Sequence, residues 1–274
     1  MEGLPAVPLD LLVAVLLASV RSAAFLMLAP PFANKAVNGQ VKALLSVGLG
    51  LAVAERLRDS VPAVEPGALI TAVVQQAVVG AVMGAFVALV FAAVQAAGDM
   101  LDLFGGFQMA SAYDPLMQSQ TAVFGKLYTW TSTALLVVSG GHLLILQGFL
   151  RSYDVLPLDA GLDTGTVARV FTEGVAQLVI SAVQIAAPLI AVLFLTDIGL
   201  GLLSRVAPAL NVFAMSFPVK ILITLTLAGF AFSMLPGVVD DMAGTARETV
   251  VRLVTPGPPD TGGAAAPAGG GEGR

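Results

Sequence analysis

The sequence predicts an all-α integral membrane protein with about six long apolar helices arranged as helical hairpins. Two observations carry this prediction. Hydrophobic residues make up 57% of the 274 residues and charged residues only 11%, whereas a soluble domain carries about 25% charged residues. The apolar residues also fall in long runs, and a helix needs about 20 of them to cross a bilayer.

Six apolar segments account for the predicted helices. In chain order they lie at about 8–30, 41–54, 68–97, 127–149, 174–204 and 209–239. The fourth has the length of one membrane-spanning helix, and the third, about 30 residues without a charge, is long enough to tilt or to project beyond a bilayer. The first has no positive residue before Arg21, so we interpret it as a retained helix and not as a signal peptide.

Charges inside the apolar segments indicate helices that pack in an assembly. Arg21, Lys42 and Lys220 lie in the first, second and last segments. A charge at the centre of a bilayer costs at least about 2.5–3.5 kcal/mol on insertion scales, so such side chains usually face protein or water. Snorkelling towards an interface is the alternative for Arg21 and Lys220. The lysines and arginines of the connecting segments favour no single orientation in a membrane.

Small residues predict a close helix contact in the third segment. Gly80, Gly84, Ala88 and Ala92 recur at every fourth position. This spacing places them on one helix face, where another backbone can approach closely.

The last two segments predict a helical hairpin followed by a tail. Pro188 and Pro218 lie within apolar runs, and each is expected to bend its helix. Pro208, Asn211 and Pro218 break the helical pattern around the junction of the two segments, which favours a helix–turn–helix hairpin. Residues 255–274 are rich in Gly, Pro and Ala and are predicted to be disordered.

The composition argues against several kinds of site. There is no cysteine, which excludes disulfides and thiolate metal sites, and a single histidine, His142, argues against a histidine metal site or triad. No basic patch points to nucleic acid, and we expect no metal, cofactor or enzyme activity. Asp99 and Asp102 could bind a cation or act as acid and base, but a helix end at a water boundary is the favoured interpretation. For His142 we favour a hydrogen bond to a neighbouring carbonyl over a proton relay.

A central loop between the third and fourth segments differs from the rest of the chain. It combines two glycines, which permit unusual backbone angles, with an Asp-Pro turn signal and bulky apolar side chains. Irregular backbone at membrane depth is tolerated where it is buried in protein or lines a cavity. The loop is therefore either a plug in a pathway or an ordinary extramembrane loop. The candidate plug residues are Phe104, Gly105, Gly106, Phe107, Gln108, Met109, Asp114 and Pro115.

Three stretches over about residues 5–250 resemble the FliR/SctT family of type III secretion export-gate subunits. They read GFQMASAYDP, GGHLLILQGFLRSYDVLPL and GLGLLSRVAPALNVFAMSFPVKI. The last two are the more specific, because their residues and spacing both match. From them the resemblance implies structural or assembly roles for His142, Pro157, Arg205, Pro208, Asn211, Pro218 and Lys220.

The resemblance implies a fold similar to a fusion of FliP and FliQ over residues 1–254, in a multi-pass protein of the bacterial inner membrane and flagellar basal body. The implied partners are FliP-like and FliQ-like subunits in a hetero-oligomeric export gate, FlhB-like and FlhA-like proteins, unfolded exported substrates and membrane lipid. The central loop would plug the export pore together with a methionine-rich ring from the FliP-like subunits.

Two alternatives to a flagellar export-gate subunit stay open. The motif LNVFAMSFPVKI favours the flagellar branch, but the GGH sequence leaves a virulence SctT-like subunit as an alternative. A small-solute transporter would need a midplane site at broken helices. Pro188, Asp197 and Lys220 are its best support.

Overall fold

The computed structural model describes residues 8–63, 65–107, 122–209 and 211–255. Every long element in these ranges is an α-helix, which confirms the all-α prediction. A short 3-10 turn follows the second helix. The helices are α1 (Leu9–Leu28), α2 (Gly39–Leu57), α3 (Pro66–Phe104), α4 (Val123–Val138), α5 (Gly141–Val155), α6 (Thr164–Val206) and α7 (Val212–Val254).

Four of these helices are long and apolar enough to cross a membrane. They are α1, α3, α6 and α7, and α4 with α5 makes a fifth candidate if the bent pair is one span. The prediction of about six long apolar helices is therefore confirmed only in part, with four or five candidate spans among the described residues. The second segment, α2, carries Lys42, Glu55 and Arg56 and does not qualify.

The fourth segment, which has the length of one membrane-spanning helix, consists of two helices. α4 and α5 meet at an angle of 74°. The break lies at Gly140, whose φ of 79° is in the left-handed region that favours glycine. The SGG sequence therefore ends one helix and starts the next.

The first bundle consists of α1, α2 and α3, with α1 packed against both of the others. Gly80 and Gly84 let the backbone of α1 approach α3, as the small-residue face predicts. A Cβ added at Gly84 would lie 2.7 Å from the Phe25 carbonyl oxygen, and one at Gly80 would collide with the carbonyl of Arg21. Phe25 in turn stacks on Phe149 of α5, with ring centroids 4.3 Å apart.

Arg21 lies inside this protein core, so it does not snorkel. It is fully buried, and its Nε donates to Gln76 Oε1 at 2.6 Å while Nη2 donates to the Leu156 carbonyl at 3.0 Å. Its guanidinium lies 4.3 Å from the centre of the Tyr153 ring. Neutral acceptors and an aromatic face thus hold the cation, although Nη1 has no hydrogen-bond partner among the described residues. The turn that contains Pro157 is tied to α1 by the same side chain.

The hairpin of α6 and α7 is confirmed. The predicted break of the helical pattern at Pro218 is wrong, because α7 continues through Pro218 as α6 does through Pro188; the bend expected at each of the two prolines stays a prediction. Between them, Pro208 lies in a turn, and the side chain of Asn211 accepts a hydrogen bond from the N–H of Ala214 at 3.2 Å. Asn211 therefore caps the start of α7, a role for which asparagine is well suited.

Candidate functional site: the neck of the central loop

The two ends of the central loop are held close together. Residues 108–121 lie outside the described residues, and with them Gln108, Met109, Asp114 and Pro115. The chain on either side is described. We call residues 102–107 and 122–125 the neck, because contacts between them close the base of the loop.

Asp102 joins the two sides of the neck through hydrogen bonds. It accepts from the N–H of Phe124 and from the N–H of Gly125, each at 3.1 Å. These N–H groups belong to the first turn of α4, where backbone donors have no partner within the helix. Ala122 occupies the N-cap position and makes no side-chain cap bond, so Asp102 of α3 supplies the cap from another helix.

The expectation of a helix end at a water boundary is wrong for Asp102, because its side chain is fully buried. Burial of a carboxylate is tolerated when hydrogen bonds satisfy it. The two N–H donors and the positive end of the α4 dipole meet this need. Asp102 thus has a structural use in the neck.

Aromatic and backbone packing reinforce the same junction. Phe107 meets Phe124 edge to face, with ring centroids 5.2 Å apart. A Cβ added at Gly98 would lie 2.6 Å from the Phe124 carbonyl oxygen. The backbones of α3 and α4 therefore touch directly one turn before the neck.

The glycine pair fits the neck against α7. A Cβ added at Gly105 would lie 2.8 Å from Thr224 Oγ1, so a larger residue would push α7 away. Gly106 has a φ of 84°, and a Cβ added there would lie 3.4 Å from Cδ1 of Phe217 in α7. The unusual backbone angle expected of the glycine pair is thus present at Gly106, while Gly105 allows a close approach.

Four other predicted site residues lie on the hairpin of α6 and α7. Lys220 lies on α7 between Phe217 and Thr224, which touch the neck, and it forms an ion pair with Asp197 of α6. Arg205, Pro208 and Asn211 lie exposed at the end of the hairpin.

His142 and Pro157 belong to other junctions. His142 Nδ1 lies 3.3 Å from the Leu136 carbonyl oxygen, across the bend between α4 and α5. This agrees with the favoured interpretation of a neighbouring carbonyl partner. Pro157 lies in the turn held by Arg21, where its carbonyl accepts from Nη2 at 3.5 Å.

Sequence reasoning missed Phe124 and Thr224 as parts of this site. One signal could have pointed to the junction: α4 begins without a capping residue of its own, and a buried helix start of this kind requires a partner from elsewhere. Among the described residues no group of three or more metal-ligand side chains is found. The Asp102 hydrogen bonds and the Phe107–Phe124 pair join the two ends of the central loop.

Comparison with known proteins gives one family. The family described as bacterial export proteins, family 1, matches residues 12–246. The chain is 29% identical to the flagellar biosynthetic protein FliR of Bacillus subtilis (strain 168) over 254 residues, which cover 90% of this chain and 96% of that protein. It is 25% identical to FliR of Pectobacterium carotovorum subsp. carotovorum over 236 residues, 86% and 90% of the two chains. It is 32% identical to the Yop proteins translocation protein T of Yersinia pestis over 148 residues, which cover 53% of this chain and 57% of that protein.

Proposed function

The chain belongs to the bacterial export proteins, family 1, and from this membership we propose that it is a subunit of a flagellar type III protein export gate. Unfolded flagellar proteins would pass through the pore of that gate. The observation that carries the proposal is similarity to FliR proteins over most of both chains. The two FliR proteins are matched over 86% and 90% of this chain, against 53% and 69% for two virulence relatives, which favours the flagellar system.

We propose further that the central loop plugs the export pore. The neck supports this role, because Asp102, the Phe107–Phe124 pair and the Gly105–Thr224 contact hold both loop ends at one place. A loop that is fixed at both ends has fewer accessible conformations than a free chain end. It therefore loses less conformational entropy when it is ordered in a blocking position.

Exposed apolar surface supports an assembly with partner subunits and lipid. The most apolar 18-residue stretch of each long helix differs in burial: 44% of its residues are buried in α1 and in α3, 22% in α6 and 11% in α7. Apolar area left open on this scale marks contacts with protein or membrane. The proposed contacts are FliP-like and FliQ-like subunits, FlhB-like and FlhA-like proteins and inner-membrane lipid. The proposed role is structural, without an enzyme reaction.

The transporter alternative loses its best support. Lys220 Nζ lies 2.6 Å from Asp197 Oδ1, so the two charges that would have formed a midplane site neutralise each other. Pro188 lies within an unbroken helix, whereas such sites use interrupted helices.

The plug proposal is tested by opening the assembled gate. Deletion of Gly106–Ser111, or Phe107→Gly together with Met109→Gly, should let the complex in proteoliposomes release a small fluorescent dye. The matched control is Phe171→Gly, because Phe171 forms an edge-to-face pair with Phe86, with centroids 5.6 Å apart, that resembles the Phe107–Phe124 pair but lies outside the neck. Dye retention by both neck variants in fully assembled complexes would reject the plug.

A further inference from the structure

The ion pair between α6 and α7 lies within apolar helix surface. Lys220 Nζ is 2.6 Å from Asp197 Oδ1 and 2.9 Å from Oδ2, so one ammonium group bridges both carboxylate oxygens. Lys220 is largely covered, and Asp197 is about half exposed. The helix surface near the pair in sequence is apolar and exposed, at Phe194 and Leu195 of α6 and at Leu222 of α7. Charges persist in such surroundings when they pair with each other.

The position of Lys220 on α7 connects this pair to the neck. Phe217 lies three residues before Lys220 and Thr224 four residues after it, so the three share one helix face. These two neighbours are the α7 residues that border Gly106 and Gly105. Thr224 Oγ1 also donates to the Lys220 carbonyl at 2.8 Å, which fixes the hydroxyl that faces Gly105.

We infer that Asp197 and Lys220 are positioning residues for the neck: their ion pair sets the rotation and height of α7 where it presses on Gly105 and Gly106. The inference rests on the proposed plug function, because it concerns the same loop. α7 has little burial of its own to hold it there. A second ion pair between the same helices, Arg252 with Glu173 at 3.1 Å, lies roughly 48 Å further along α7 at 1.5 Å per residue.

Loss of the pair should therefore loosen the neck without unfolding it. Once Lys220 is neutral, α7 can rotate, and the contact between Thr224 and Gly105 is no longer enforced. The nearby hydrogen bonds of Asp102 remain, so the loop stays attached at its base. The expected result is a partial leak, smaller than that of the loop deletion.

The test uses the assembled gate in proteoliposomes and compares Lys220→Met with Arg252→Met. Lys220→Met should raise dye release by roughly fivefold, as expected for the loss of one partly exposed ion pair. Arg252→Met breaks a pair between the same helices far from the neck and should release dye at the wild-type rate. The double variant Asp197→Lys with Lys220→Asp should return release to the wild-type rate.

A second measurement covers the case in which Lys220→Met fails to assemble. The chain contains no cysteine, so Asp197→Cys with Lys220→Cys gives one defined thiol pair. A short bis-methanethiosulfonate links the two thiolates through two mixed disulfides, with release of methanesulfinate at each, and should keep the gate closed. Dithiothreitol cleaves both disulfides in the same sample and should open it.

The outcomes separate the inference from the plug proposal. If the loop deletion leaks and Lys220→Met does not, the inference is overturned and the plug stands. If Arg252→Met leaks as much as Lys220→Met, or the reversed pair does not restore closure, the pair acts on hairpin stability in general and the inference fails. If the loop deletion itself does not leak, the plug proposal fails first.

Discussion

The first bundle and the end of the hairpin have similar compositions but differ in how much of their apolar surface is buried. In α1–α3 one set of apolar side chains is packed inside the chain, with Leu17, Phe25 and Met83 fully buried, while other large apolar side chains of the same helices stay exposed. In residues 194–222, which we call the hairpin tip, large apolar side chains such as Leu195 and Leu222 are about two-thirds exposed. Hydrophobic composition alone thus does not tell whether a helix is covered by its own chain or by something else.

The two internal cations show the same contrast. Arg21 is held inside the chain by neutral acceptors and an aromatic ring, whereas Lys220 meets a carboxylate across the hairpin. The buried cation collects several fixed dipoles, and the partly covered one has a single charged partner. The first bundle is therefore tied to the rest of the chain by internal contacts, and the hairpin tip leaves more of its surface to other molecules.

The largest expected effect compares glycines of the two regions. Gly80→Ala should lower the free energy of unfolding of the full chain in detergent by about 2–3 kcal/mol, because the added methyl group meets the backbone of α1. Gly201→Ala in the hairpin tip has no atom within 4 Å and should raise it by about 0.5–1 kcal/mol. Denaturant titration followed by circular dichroism measures both. Equal destabilisation by the two changes would remove the contrast between the regions.

The next effect concerns the neck, where the two regions meet. Asp102→Ala should cost about 1–2 kcal/mol of unfolding free energy, since two N–H groups of α4 lose their acceptor. Asp102→Asn keeps one acceptor oxygen and should cost less. The same titration gives the values, and dye release from the assembled gate should follow the same order. Wild-type stability of Asp102→Ala would show that the cap contributes nothing.

A smaller effect in the free chain tests the open surface of the hairpin tip. Leu195→Gln should change the unfolding free energy by less than about 0.5 kcal/mol, because the side chain is already about two-thirds exposed in the free chain. Leu17→Gln, its matched change in the bundle, should lower it by about 2 kcal/mol, because the amide would be buried where the leucine is fully covered. Leu195→Gln should nevertheless reduce the yield of assembled gate when the partner subunits are co-expressed. A normal yield would mean that this part of the tip is not an interface.

The smallest effect is a pH dependence at the start of the hairpin. Hydrogen bonds from the Thr166 hydroxyl and N–H lower the pKa of Asp163 below its ordinary value of 3.8. A lowered pKa in the folded state means that this cap contributes stability above pH 3.8, and that the contribution is lost as the pH falls through the lowered value. Asp163→Asn should therefore flatten part of the stability profile between neutral and acidic pH, as measured by thermal unfolding. Parallel profiles for the two proteins would exclude a contribution from this cap.

The features that the sequence determined are those encoded along one helix or in one motif. Apolar runs predicted an all-helical chain, and the spacing of Gly80 and Gly84 predicted a close helix contact, because both follow from the regular period of a helix. Pro208 and Asn211 marked the turn of the hairpin through local backbone preferences. The motifs around His142 and Lys220 indicated the family, which the match over residues 12–246 then showed.

The features that only the tertiary structure decided depend on partners distant in the chain. Arg21 meets Gln76 across 55 residues and Leu156 across 135, and Asp102 meets Phe124 across the central loop. A carboxylate at a helix end has the same local pattern whether water or another helix lies beyond it. Which of the two it meets is set by how the helices pack, because burial and hydrogen bonding at such a position are properties of the assembled core and not of the segment that carries the residue.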